Sequence, residues 1–97
     1  MSITNNNSYL ETSWSDCIEN SQDFDRLINW LSGEFILYQQ DENQVLKVYF
    51  PNGWFIVSFK KGINNEYKVL MKHKSKFTFI DIKKQLLLAI DRFKKIN

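Results

Sequence analysis

The chain has 97 residues, of which 43% are apolar and 15% aromatic, with eight Phe and three Trp among them. That length holds one domain, burying roughly 60% of its unfolded surface, and the composition excludes disorder over the body of the chain. A single cysteine, Cys17, excludes an internal disulfide and points to a reducing, cytoplasmic setting. No stretch approaches the roughly 18 apolar residues of a membrane span, so no transmembrane segment is expected.

The net charge of +2 conceals an asymmetry. Residues 1–45 carry eight acids against Arg26, net −7, whereas residues 46–97 carry twelve bases against three acids, net +9. Halves of opposite sign either steer partners or neutralise each other when they pack, and the fold decides which.

In chain order, residues 1–8 are polar and Asn-rich and read as a flexible tail, which leaves 9–97 as a single α+β domain. Ser8 and Glu11 have capping-box spacing. Leu10, Trp14, Cys17 and Ile18 then fall near one helical face, which predicts a short extra helix with Cys17 buried as an inert thiol. Phe24, Leu27, Ile28 and Leu31 form an i, i+3, i+4, i+7 stripe. Asn20 or Ser21 stands before it as N-cap and Gly33 after it as the residue beyond the C-cap, predicting a helix over 21–32.

From residue 34 the period changes to two. Residues 35–38, 45–50, 54–60 and 66–72 read as four strands, separated by turn-rich segments at 40–43, 51–53 and 62–65. Separators this short pair consecutive strands as an antiparallel meander. Thr78 and Asp81 repeat the capping-box spacing, and Phe79, Ile82, Leu86, Ile90 and Phe93 share a stripe, predicting a C-terminal helix over 79–95 with Lys94 and Lys95 at its negative end. The expected architecture is α+β and two-layer: a four-stranded antiparallel meander flanked by an N-terminal and a C-terminal helix. Its inward face carries Leu46, Val48, Phe50, Phe55, Val57, Phe59, Val69 and Met71.

This element order resembles that of double-stranded RNA-binding domains and of the kinase-associated lipid-binding domain. Where the former family has a Gly-His turn and a Ser-Lys-Lys-x-Ala-Lys helix entry, however, this chain has Pro51-Asn-Gly53 and Lys76-Phe-Thr-Phe79. The second likeness rests on topology and a Phe-led final helix, so both are likenesses of element order.

Motifs that carry chemistry are missing from the sequence. One cysteine and one histidine, Cys17 and His73, supply neither a nucleophile with its base in local spacing nor a zinc tetrad. His73 lies among lysines and reads as a solvated loop residue. Three separated glycines make no phosphate loop. The expectation is no enzyme, no metal and no cofactor.

What remains is a surface. If the inward face packs on the helices, alternation sends Lys47, Tyr49, Trp54, Ile56, Ser58, Lys60, Lys68 and Lys72 outward, and the expected binding surface is Tyr38, Lys47, Tyr49, Trp54, Lys60, Lys68 and Lys72. Aromatic anchors in a polar surround suit a protein partner, which predicts a non-catalytic inhibitor, immunity or adaptor protein. The alternative is a nucleic-acid-binding module, in which the rings stack on bases and the lysines track phosphates. A third arrangement has Leu10 and Trp14 folding over this face and covering it. The run Lys72-His-Lys-Ser-Lys76, joined by Lys60, Lys61, Lys83 and Lys84, is a second anion-attracting candidate.

Overall fold

In the computed structural model, residues 9–35, 39–42 and 45–96 are described. The elements run β1 (Leu10–Cys17), α1 (Ser21–Glu34), β2 (Gln39–Glu42), β3 (Val45–Phe50), β4 (Gly53–Lys60), β5 (Glu66–His73) and α2 (Lys76–Ile96). The α+β architecture is as expected: β2 to β5 form an antiparallel meander, with α1 before it and α2 after it. A fifth strand joins them, because β1 pairs antiparallel with β5 and makes the sheet order β1-β5-β4-β3-β2.

β1 replaces the helix expected near residue 10. Thr12, Trp14 and Asp16 are half-buried while Glu11, Ser13, Ser15 and Cys17 are exposed, the period of two that belongs to a strand. Cys17 is accordingly exposed at the strand end, not buried on a helical face. Residues 40–42, expected within a separator, belong with Gln39 to strand β2, registered with Gln39 opposite Val48 and Glu42 opposite Val45. Of the strand expected at 35–38, Phe35 is the C-cap of α1 and the rest lies outside the described residues.

α1 buries the four residues of its stripe, and Asn20 is its N-cap, its side chain accepting from Asp23 N–H at 2.8 Å. Gly33 is not the expected terminator but a residue of the last turn, followed by Glu34 and an extended Phe35. Side-chain amides replace the glycine cap. Gln39 Nε2 donates to the carbonyls of Ser32 and Phe35 at 3.0 and 2.8 Å, and Gln85 Nε2 to that of Glu34 at 2.9 Å. Carbonyls satisfied from outside the helix need no left-handed residue.

α2 starts at Lys76, earlier than the Thr78 cap predicts, since Ser75 takes that place: Phe79 N–H donates to Ser75 C=O at 3.1 Å, and Thr78 N–H reaches Ser75 Oγ at 3.5 Å. Both helices lie on one side of the sheet and are joined there by Trp30, whose indole N–H donates to Ala89 C=O at 2.8 Å. The core between the layers holds Phe24, Leu27 and Leu31 from α1, Leu86 from α2, and Leu46, Val48, Phe55, Val57, Val69 and Met71 from the sheet, all at 0–1% exposure. Phe59 packs on its margin, 5.4 Å from Phe24 ring to ring.

The turn from β3 to β4 explains why the meander holds its register. Pro51 fixes one central φ, and Asn52 takes the left-handed conformation at φ 67°. Gly53 follows because a Cβ there would sit 2.3 Å from the Lys72 carbonyl and 2.7 Å from the Phe50 ring.

Candidate functional site

With both helices on one face, the other face of the sheet is bare of any described element. Register fixes its layout in rows across the strands. One row reads Tyr49, Trp54, Lys72, Glu11, and the next reads Lys47, Ile56, Leu70, Ser13. A third is Val45, Ser58, Lys68, Ser15, and the last pairs Lys60 with Glu66 and Cys17.

Four of the seven residues expected to form the surface meet in one corner. Lys47 Nζ lies 4.8 Å from the Tyr49 ring centre and 4.5 Å from that of Trp54, and Lys72 Nζ lies 5.6 Å from Trp54 on its other flank. An ammonium over the face of an aromatic ring is held by the ring quadrupole. Lys72 also pairs with Glu11 of β1 at 3.6 Å. Lys68 and Lys60 share the face but not the corner, because four and six residues of strand put them about 13 and 20 Å away along it. Tyr38 lies outside the described residues.

Beside the aromatic corner, Val45, Ile56 and Leu70 are half-buried and make an aliphatic centre. Ile56 is one of the residues that alternation sends outward with Tyr49, and the same period puts Val45 and Leu70 there, although neither stands out among the lysines and aromatics. Glu11 could not be found without the pairing of β1, which has no local signal. Leu10 and Trp14 do not cover this face, since they sit on β1 positions opposite His73 and Val69, on the helix side.

The lysine run at 72–76 does not join Lys60 and Lys61, which lie at the opposite end of eight-residue strands. Lys74 rests over the Tyr9 ring at 4.9 Å, and Lys83 lies 5.6 Å from both Trp14 and Phe79. His73 is not a loop residue. It ends β5 on the inward face at 4% exposure, stacked on Phe79 with centroids 3.9 Å apart, and its Nδ1 has no hydrogen-bond partner among the described residues.

Reactive geometry can be traced residue by residue. Cys17 and His73 sit at opposite ends of the β1–β5 pair, about 24 Å apart along the strands, too far for a nucleophile and its base. No three His, Cys, Asp or Glu side chains converge among the described residues, and no helix among them is long and apolar enough to cross a membrane.

One cluster of titrating groups lies on the helix side. Asp16 accepts from Lys94 Nζ and from Cys17 N–H, and these bonds hold its carboxyl below the ordinary value. Lys94 is raised in turn, chiefly by its bond to Asp16. The Tyr67 hydroxyl, 3.5 Å from Asp16, is raised mainly by burial. Burial keeps this phenol protonated to higher pH, and the cluster ties β1 to α2.

No protein-family model matches the sequence, and no curated protein matches it either.

Proposed function

We propose that the chain is a non-catalytic binding protein of the inhibitor, immunity or adaptor kind, which engages another protein through the open sheet face. The observation that carries this reading is the aliphatic centre of Val45, Ile56 and Leu70 set beside Tyr49 and Trp54 on a face that no described element covers. Apolar side chains flanked by Trp and Tyr, with charge at the margin, are the composition of an interface core. Partly exposed aliphatic surface of this kind gains free energy only by contact with other apolar surface. The lysines at Lys47, Lys60, Lys68 and Lys72 favour a partner with acidic groups around its own apolar patch. Exposed Cys17 suits a reducing, cytoplasmic location.

The nucleic-acid reading draws on those same lysines, yet Lys47 and Lys72 already lie over the rings on which bases would stack, and Val45, Ile56 and Leu70 offer bases neither stacking nor hydrogen bonds. The test is photo-cross-linking in source-cell lysate from a benzophenone side chain at Ile56, with the same probe at exposed Arg26 on α1 as control. Expected is one stoichiometric protein adduct from Ile56, absent from Arg26 and lost with Trp54→Ala. Adducts equal at both positions, or oligonucleotide binding that weakens steeply with salt while no protein adduct forms, would contradict the proposal.

A further inference from the structure

At the rim of the sheet, β1 has no strand on its second side among the described residues. Hydrogen bonds alternate along an antiparallel pair. Ile18 N–H donates to Asn65 C=O at 3.0 Å, one step beyond the β1–β5 ladder. The even-numbered residues of β1 therefore bond to β5, and Glu11, Ser13, Ser15 and Cys17 aim their N–H and C=O groups outward. The Cys17 N–H is already taken, donating to Asp16 Oδ1 at 2.8 Å. Glu11, Ser13 and Ser15, all exposed, are left as an open ladder of the kind that recruits another strand.

Along the same edge, on the helix side, Leu10 is 62% exposed, and Ile80 and Leu87 of α2 are 49% and 44% exposed. Next to them a cavity of about 310 Å³ opens between β1 and α2, lined by Trp14, Tyr67, Leu87 and Ile90 with Asp16 and Lys94 at its wall.

We propose that this edge pairs with β1 of a second copy of the chain, antiparallel about a two-fold axis, with Ser13 opposite the copy's Ser13. Three features select this occupant and this register. Centring on Ser13 sets Glu11 against the copy's Ser15, so that every free backbone group meets a free group and the capped Cys17 N–H stays outside. Centring on Trp14 instead would set Glu11 against Cys17, whose N–H is engaged. In the Ser13 register no like charges face each other, since Glu11 meets Ser15, Trp14 meets Thr12 and Asp16 meets Leu10.

The last of these pairs brings the exposed Leu10 of each copy to the mouth of the other's cavity. Projecting leucine and unfilled hollow complete each other twice, as a self-complementary two-fold interface requires. The result is one continuous sheet, its helices on one side and its open face doubled on the other.

Sedimentation equilibrium of the full chain is expected to show a reversible monomer–dimer equilibrium. Ser13→Lys places like charges across the axis, and Leu10→Asp removes the side chain that fills the cavity. Each should weaken the dimer about tenfold or more while leaving the circular dichroism unchanged, because both side chains are exposed. In a Cys17→Ser background, Ser13→Cys should cross-link two copies on mild oxidation. A hydrogen-bonded pair separation of about 5.5 Å lies within the roughly 4.4–6.8 Å that a disulfide spans. Ser15→Cys, facing Glu11, should not cross-link.

A chain that stays monomeric at every concentration overturns the proposal, as does a dimer that cross-links through Ser15→Cys instead of Ser13→Cys. A monomer whose Ser13 and Ser15 amides resist hydrogen exchange assigns the edge to the chain's own residues 1–8, and also overturns it.

Discussion

Gly53 carries more of the fold than its size suggests, because the Lys72 carbonyl and the Phe50 ring occupy the space of its missing side chain. Gly53→Ala forces one of them to move. The expected cost is about 1–3 kcal/mol, the usual range for overpacking, read as a lower urea midpoint.

Asp16 gives a pH prediction whose sign follows from its environment. Its folded carboxyl titrates below the ordinary 3.8, held there first by Lys94, so it stabilises the fold above that value and ceases to do so as pH falls through the folded pKa. Asp16→Asn should lower the urea midpoint at neutral pH, and the gap from the native chain should close as pH falls below 3.8. Lys94 works at the other end: raised above 10.5, it adds stability that is present below that value and is lost as pH rises through the folded pKa. Both side chains are about half exposed, so each effect is modest.

At the scale of elements, what the sequence made legible follows from how each element is buried. α1 and β3 to β5 have one face on the core, so their apolar residues recur at 3.6 or 2 and the pattern reads directly. β1 sits at the rim, where its inward positions Thr12, Trp14 and Asp16 are only half-buried and two of them are polar. Its alternation in burial therefore has no counterpart in hydropathy, and the accidental spacing of Leu10, Trp14, Cys17 and Ile18 looked helical. β2, at the other rim, is Gln-Gln-Asp-Glu, the polar sequence of an edge strand guarded against further pairing. His73 was hidden by its lysine neighbours, because charge in sequence says nothing of the inward position that the β5 register assigns it.

The cap on α2 makes a prediction at this scale. Ser75→Ala removes the oxygen that Thr78 N–H and Oγ1 approach and should cost about 1 kcal/mol. Trp30→Phe deletes the indole bond to Ala89 C=O and should cost about 0.5–1.5 kcal/mol. Ser75 caps the start of α2 and Trp30 bonds to Ala89 fourteen residues further on, about 21 Å along the helix, so their effects on chemical unfolding should add.

For the molecule as a whole, part of the charge asymmetry turns inward. The ion pairs Asp16–Lys94, Glu34–Arg92 and Glu11–Lys72 each join the acidic half to the basic half, so the fold offsets part of the opposition within itself. The open face keeps its aliphatic centre, its lysine-flanked Trp54, and nothing described above it. Legibility of the candidate site followed the same line. Period-two alternation placed Lys47, Tyr49, Trp54 and Lys72 outward, while the contribution of Glu11 needed a pairing between strands some sixty residues apart in sequence.

Acrylamide quenching of Trp54 in a Trp14→Phe, Trp30→Phe chain, first free and then with the cross-linked partner rebound, tests whether the open face is where the partner binds. Ready quenching in the free chain and protection in the complex are expected. A Trp54 already shielded in the free chain, or one whose quenching the partner leaves unchanged, would contradict binding there.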